Sequence, residues 1–597
     1  MNYRADIQIL RGIAVSMVLL FHFGFSAFQS GFLGVDVFFV ISGFLMAMLY
    51  KKGHKKDFYT RRAKRLLPAY FATIIATLVV AAIVTVPSDY SQVKEQSLFA
   101  IFYSSNIGFW LQNSYFSKAE FNPLLHLWSL GVEIQFYLFV PLVALIYRWS
   151  KSLFYLALLT SLGLCFLVVM ISPKTSFFMM PLRAWEFLLG FAVAKLLVNN
   201  VAREQAKKIK PLQILSLLLL LGVPLIPVDG QSLSIIFGHP GSFALIITGV
   251  TALVLGIGLP EQLTKSFIGK TLEKIGNYSY SIYLVHFPVI VLANYEPFGG
   301  TILATDTLTS LLVQIALVAV LSIACYRIVE KMRIKNTNSL IGIGTAAVLV
   351  IGIAGTTIQE NTFTEEQLKI FAAWEDRSPY RCGKVFRLLN PSERICSITE
   401  NPTDALKPVL LVGNSHADSL KTEFANVAKK LGYETFFYVP NDPLMKDSSI
   451  RASAIINDAK ALHAEKVILH FSPNGVSQQE LISLLENAER EPNITVSFIA
   501  PVPVYGKHIP KALYGKSIGN KEELTQTIAD YERKNSEEIL LLRELLGPNF
   551  IEAAGTLCTP DCEITDEDGK PLYFDEGHLT LTGARKLSSV YEKALIM

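Results

Sequence analysis

The sequence predicts a multi-pass α-helical membrane domain of about eleven transmembrane helices, followed by an extracytoplasmic three-layer α/β domain with a parallel sheet. Three observations carry that expectation. Of the 597 residues, 51% are hydrophobic and only 17% charged. Up to Ile358 the apolar residues fall in runs near the ~20 residues that a bilayer helix needs. After Gln359 charged and apolar residues mix as in a water-soluble domain, and strand-like runs alternate with helical ones.

The candidate spans are roughly 7–28, 32–50, 67–87, 132–147, 153–172, 180–198, 211–228, 235–258, 277–296, 305–328 and 338–358. The loops between them sort by charge. The loop after the second span, KKGHKKDFYTRRAKR, is densely basic. Those after the fourth, sixth, eighth and tenth carry Arg148 and Lys151; Arg203, Lys207, Lys208 and Lys210; Lys265, Lys270 and Lys274; and Arg327, Lys331, Arg333 and Lys335. The loops after the first, seventh and ninth carry no Lys or Arg. Basic loops stay in the cytoplasm. The N-terminus is therefore expected inside and, with an odd number of spans, the C-terminal domain outside. No small-residue cleavage site precedes the second span, so the first helix is expected to act as its own insertion signal.

The expected domains are a membrane domain at 1–335, an additional transmembrane helix at 336–358, a linker at 359–381 and the extracytoplasmic domain at 382–597. Within the linker, Thr364 and Gln367 have the spacing of a capping box. Four of the six cysteines, Cys382, Cys396, Cys558 and Cys562, lie in the soluble half. The pairs Cys382–Cys396 and Cys558–Cys562 are the simplest bridges, and an oxidising compartment favours them over free thiols. No Cys/His cluster has zinc spacing, so no metal is expected. The net charge of +4 is small and argues against a nucleic-acid partner.

RGIAVSMVLLFHF places Arg11 and His22 in the first span. An ionisable group at the centre of a bilayer helix costs roughly 2.5–3.5 kcal/mol on insertion scales. Their separation is about three helical turns, so they share a face roughly 16 Å apart along the axis. That suits a face turned to a polar cavity, although a snorkelling Arg and a His bonded to a neighbouring helix would explain either alone. More polar groups recur at membrane depth: Asp36 in GVDVFFVISGFL; His126, Glu133 and Gln135 in HLWSLGVEIQFY; Arg183 and Glu186 in PLRAWEFLLG; and His286 in NYSYSIYLVHFP. Arg183 and Glu186 can pair at i,i+3. Together these groups point to an enclosed reaction site or a substrate path. In FYTRRAKRLLPAY, Arg62 and Arg65 fall on one helix face, where guanidinium forks suit phosphate; positive-inside topology also explains them.

In the soluble half, KPVLLVGNSHADSL reads as a buried strand, a tight turn and a helix start. ETFFYVP, KVILHFSP and SFIAPVPVY are further strands. Reactive groups collect at the carboxyl ends of such strands. Ser415 is there, before a helix whose free N–H groups suit an oxyanion. LYFDEGHLTLTGARKL places Asp575 and His578 in one loop, and a nucleophilic Ser needs a His base oriented by an Asp. Asn474 in HFSPNGVS is an oxyanion candidate or a turn former.

Taken in order, the Arg11/His22 spacing, GVDVFFVISGFL, RRAKRLLPAY, HLWSLGVEIQFY, RAWEFLLG and NYSYSIYLVHFP resemble the acyltransferase-3 family of bacterial membrane enzymes over residues 1 to about 335. Many members have a second glutamate where this chain has Ile134. The soluble half resembles the SGNH hydrolase superfamily through GNSHA, with Asn414 where Asp is commoner, and DEGHLT. The resemblance implies acetyl-CoA as acyl donor, its phosphates held by Arg62 and Arg65 with help from Arg11. It implies His22 as base or acyl acceptor, and Ser415, His578 and Asp575 as nucleophile, base and orienting acid. The implied protein is an O-acetyltransferase of the bacterial inner membrane acting on a surface polysaccharide, with lipopolysaccharide O-antigen the first choice of acceptor and peptidoglycan the second. A transporter, or an esterase anchored by its membrane half, is the alternative. The Ser/His/Asp set discriminates against the first, and the polar membrane interior against the second.

Overall fold

A computed structural model describes residues 3–112, 120–196, 210–305, 307–332, 334, 336–383, 386, 390, 393–446, 448, 450–521 and 524–597. The chain forms two compact units, Met1–Gln359 and Glu360–Met597. Arg203, Lys207, Lys208, Arg333 and Lys335 lie outside the described residues.

In the first unit, eight described helices are long and apolar enough to cross a membrane. They are Ala5–His22, Gly31–Leu49, Lys55–Val84, Leu127–Trp149, Lys151–Val169, Phe267–Ala293, Leu308–Glu330 and Thr337–Thr362. The other three expected spans coincide with shorter helices, Met180–Leu196, Lys210–Leu225 and Ser242–Ile257. Helix starts differ from the hydropathy reading. Lys55–Val84 begins well before residue 67, so FYTRRAKR is helical, and Phe267–Ala293 begins before residue 277. Hydropathy marks the part of a helix in hydrocarbon, whereas backbone hydrogen bonding continues into its polar ends.

Ala5–His22, here α1, packs most closely against Phe267–Ala293. A Cβ on Gly12 would lie 2.1 Å from the Leu272 carbonyl oxygen, and one on Gly276 would lie 1.8 Å from that of Gln8. Only glycine lets the two backbones come this near. Ten residues further along each helix, His22 meets His286. Both pairs have the same offset of 264 residues, so the helices run parallel and in register. Gly34–Leu49, here α2, packs similarly on Met180–Leu196, where Gly43 faces the Phe187 carbonyl and Gly190 that of Val40.

The second unit is built on a six-stranded sheet of order β1-β3-β2-β4-β5-β6. The strands are β1 (Ile395–Ser397), β2 (Lys407–Gly413), β3 (Tyr433–Tyr438), β4 (Lys466–His470), β5 (Thr495–Ile499) and β6 (Phe550–Ile551). The expected parallel sheet is corrected here to a mixed one, because β1 runs antiparallel to β3. A three-residue strand at a sheet edge has too little alternation to be read from sequence. The central strands show the continuous burial of a covered parallel sheet, with Val409 to Val412 all inaccessible. Residues expected as a linker belong to this unit. Thr364 and Gln367 form the capping box of helix Glu365–Phe371, and the Asp376 carbonyl accepts from Leu581 N–H at 2.8 Å. Cys382 pairs with Cys396, and Cys558 with Cys562.

Substituting Gly276→Val places carbon where the Gln8 carbonyl stands. Overpacking of this kind costs about 1–3 kcal/mol. The thermal midpoint of the detergent-solubilised chain is expected to fall, and an unchanged midpoint would show that the two helices part without cost.

Candidate active site

The candidate site of the second unit grows from the end of β2. A Cβ on Gly413 would lie 1.9 Å from the His470 carbonyl oxygen and 2.5 Å from Ala417 Cβ, so this position requires glycine. Asn414 caps helix Ser415–Lys430. Its Oδ1 accepts from His416 N–H at 3.1 Å and Ser472 N–H at 3.2 Å, while its Nδ2 donates to Ser472 Oγ at 2.9 Å. The cap aims Ser415 out of the first turn, beside the helix's N-terminal N–H groups.

Ser415 Oγ lies 2.8 Å from His578 Nε2, and His578 Nδ1 lies 2.7 Å from Asp575 Oδ2. Asp575 Oδ1 accepts from the N–H groups of Gly577 and His578 at 2.9 and 2.8 Å, which fixes the carboxylate before it orients the ring. The sequence-predicted nucleophile, base and orienting acid thus meet in one chain of hydrogen bonds. Burial pushes the Asp575 carboxyl up, but the hydrogen bond and charge of His578 with the two N–H groups outweigh it, leaving it below the usual range. Burial lowers His578, and Asp575 more than reverses this, so His578 is raised.

Sequence reasoning missed several neighbours of the triad. The His416 ring lies 4.6 Å from that of His578, and burial, with His578 and His470 nearby, lowers it to about 3. Phe574 stacks on His578 at 5.5 Å. Arg381 is buried beneath the nucleophile turn. Its guanidinium donates to the carbonyls of Gly413 and Tyr438 at 3.2 Å and to Asn441 Oδ1, which ties the ends of β2 and β3 together. Its position next to Ser415, within GNSHA, could have marked His416. Nothing local marks Arg381. Asn474 is exposed, has φ of +56°, and donates its backbone N–H to Glu538 at 2.8 Å, the geometry of a turn former.

The membrane unit divides its polar residues into three groups. A pocket is lined by Arg11, Arg62 and Arg65 together with Ser42, Glu133, Tyr137 and Tyr283. Ser42 and Tyr137 both donate to Glu133 Oε1. The buried Nε of Arg62 meets no hydrogen-bond partner among the described residues. Beyond Tyr283 lies a histidine cluster. His22 Nδ1 is 3.1 Å from His286 Nε2, and the His126 and His286 rings are 5.8 Å apart. The Tyr283 hydroxyl joins the two regions by bonding Ser129 Oγ at 2.6 Å and the His126 carbonyl at 3.0 Å.

The third group stands apart from that pocket. Arg183 pairs with Asp36 at 2.9 Å and with Glu186 at 2.8 Å, and lies 3.2 Å from His239, a residue that sequence reasoning missed. Asp36, Arg183 and Glu186, site candidates from the sequence, pair with one another and tie α2 to Met180–Leu196. Gln135 likewise pairs with the Asn106 amide at 2.8 Å and the Tyr103 carbonyl, bracing helix Ser105–Leu111.

A family model described as an acyltransferase domain matches residues 4–356, and one for the SGNH domain fused to such domains matches 381–593. The chain belongs to the acyltransferase-3 family. Among curated relatives of this acyltransferase-3 chain, O-acetyltransferase OatA of Staphylococcus aureus strain NCTC 8325 / PS 47 is 33% identical over 353 residues, 55% of this chain and 57% of the relative. A putative O-acetyltransferase of S. aureus strain MSSA476 is 34% identical over 314 residues, 49% of this chain and 51% of the relative. The acyltransferase-3 chain therefore spans about half the length of the curated relatives it matches. No solved structure matches it significantly.

His578 must be neutral to take the Ser415 proton. With its pKa raised, that role is lost as pH falls through a value above the ordinary histidine pKa of about 6.5. The Ser415-dependent esterase rate on an activated acetyl ester is expected to show its acid limb there. Asp575→Asn should lower the rate on the order of 10⁴-fold and move the limb to lower pH. An unmoved limb would assign it to another group.

Proposed function

We propose that this chain is an O-acetyltransferase that moves acetyl from cytoplasmic acetyl-CoA, across the bacterial inner membrane, to hydroxyl groups of a cell-surface polysaccharide. The observation that carries this reading is the Ser415–His578–Asp575 chain of hydrogen bonds, which a transporter has no use for. The membrane pocket supplies the donor side. Three guanidinium groups, one with an orphaned buried donor, suit the phosphates of CoA. His22 then accepts the acyl group or a proton in transfer. At the outer domain, Ser415 Oγ bonds the acyl carbon as the bond from that carbon to its carrier breaks, and His578 takes the Ser415 proton and hands it to the departing carrier atom. The acceptor hydroxyl then attacks, His578 takes its proton, the Oγ–acyl bond breaks, and His578 returns that proton to Ser415. Eight membrane-length helices with a polar interior exceed what an anchor requires, which disfavours an anchored esterase.

The acceptor is a carbohydrate hydroxyl of the envelope, with O-antigen and peptidoglycan as the two acceptors to test. Base-labile acetate in separate lipopolysaccharide and peptidoglycan fractions distinguishes them. Acetate is expected to fall in one fraction when His22→Ala replaces the native chain. No change in either fraction would turn the reading toward transport.

Arg62→Ala and Arg65→Ala should each weaken CoA binding by the purified chain roughly ten- to hundred-fold, the loss of one or two charge-assisted hydrogen bonds. Unchanged affinity would leave these arginines a role in topology alone.

A further inference from the structure

His416 follows the nucleophile, and its backbone is fixed on both sides. Its N–H donates to Asn414 Oδ1 at 3.1 Å, and its carbonyl accepts from Ser419 Oγ at 2.7 Å. The side chain then enters the space between the Ser415 turn and the loop that carries the base. A Cβ on Gly577 would lie 3.3 Å from His416 Cε1, and the ring centres of His416 and His578 are 4.6 Å apart.

The residue is 6% exposed, yet among the described residues neither of its ring nitrogens has a hydrogen-bond partner. Nδ1 is sealed within the protein, whereas Nε2 keeps some accessible surface. Buried polar groups are nearly always bonded. An imidazole left unbonded beside a nucleophile is therefore suited to a group that the substrate brings.

Chemistry selects that group. Burial, with His578 and His470 nearby, lowers His416 to about 3, so the ring is neutral and does not compete with His578 for protons. An acyl carbonyl oxygen only accepts, and it would fit one tautomer alone. A hydroxyl both donates and accepts, so it pairs with Nε2 in either tautomer. The attacking hydroxyl of the acceptor gives its proton to His578. One hydroxyl does not span two rings set 4.6 Å apart, but two hydroxyls on adjacent carbons do.

We propose that His416 is an acceptor-binding residue whose Nε2 hydrogen-bonds a second hydroxyl, on the carbon next to the one that attacks acetyl-Ser415. The preferred acceptor is then a carbohydrate carrying neighbouring free hydroxyls. The inference rests on the acetyltransferase reading above.

The test uses the full chain in nanodiscs, with p-nitrophenyl acetate as donor and two acceptors that differ by one hydroxyl, 1,2-propanediol and 1-propanol. Acetyl-Ser415 passes its acetyl group to the alcohol, giving an acetate ester, or to water, giving acetate. The ratio of ester to acetate is compared between the alcohols. The native chain is expected to favour the diol roughly three- to tenfold, the worth of one hydrogen bond. His416→Leu keeps the bulk without a polar atom and should remove the preference. His416→Gln, whose amide nitrogen reaches the place of Nε2, should recover most of it, and the shorter His416→Asn should not. The Gln and Asn pair carries the same comparison if His416→Leu does not fold. No preference in the native chain, an unchanged preference in His416→Leu, or equal preferences in His416→Gln and His416→Asn would overturn the role of His416. Native rates of ester formation in Ser415→Ala would instead overturn the acyl-serine reading on which it rests.

Discussion

The close crossing of α1 and Phe267–Ala293 at Gly12 and Gly276 is the constraint on which the membrane site depends. Two backbones meet where no side chain fits, and the parallel register carries to the other end of α1. Near the crossing, Arg11 enters the basic pocket with Arg62 and Arg65. At the far end His22 meets His286. One helix pair thus carries both the arginine end and the imidazole end of the proposed acyl path. Tyr283, one turn before His286 on the same helix, stands between them with its hydroxyl tied to Ser129.

The second unit solves a similar problem by different means. The Ser415 turn is held from two sides, by Asn414 reaching across to Ser472 and by Arg381 beneath the ends of β2 and β3. Arg381 belongs to a segment that also binds the start of helix Leu581–Lys586, just after His578, through the Asp376 carbonyl and carboxylate. Residues that read as a connector therefore brace both ends of the triad, and the adjoining Cys382–Cys396 bridge fastens this segment to β1.

Much of this was legible in the sequence, for identifiable reasons. The apolar runs, the parallel core strands and the Ser415, Asp575 and His578 fragments are local patterns whose chemistry is short-range. Arg381, His239 and the His22–His286 contact depend on residues far apart in the chain, and no local pattern announces them. Composition also merged what packing separates. Asp36, Arg183 and Glu186 read as part of one polar interior, yet they pair with one another and do not line the pocket that Arg11 and Glu133 share. The edge strand β1 was too short to read, which made a mixed sheet look parallel.

In the proposed function, acetyl reaches Ser415 only by way of His22. The most direct measurement is retention of radiolabel on the full chain in sealed vesicles given [¹⁴C]acetyl-CoA on the cytoplasmic side without an acceptor, followed by mapping of labelled peptides. Label is expected on the Ser415 peptide in the native chain and none there in His22→Ala. Label on Ser415 in the His22→Ala chain at the native level would contradict it.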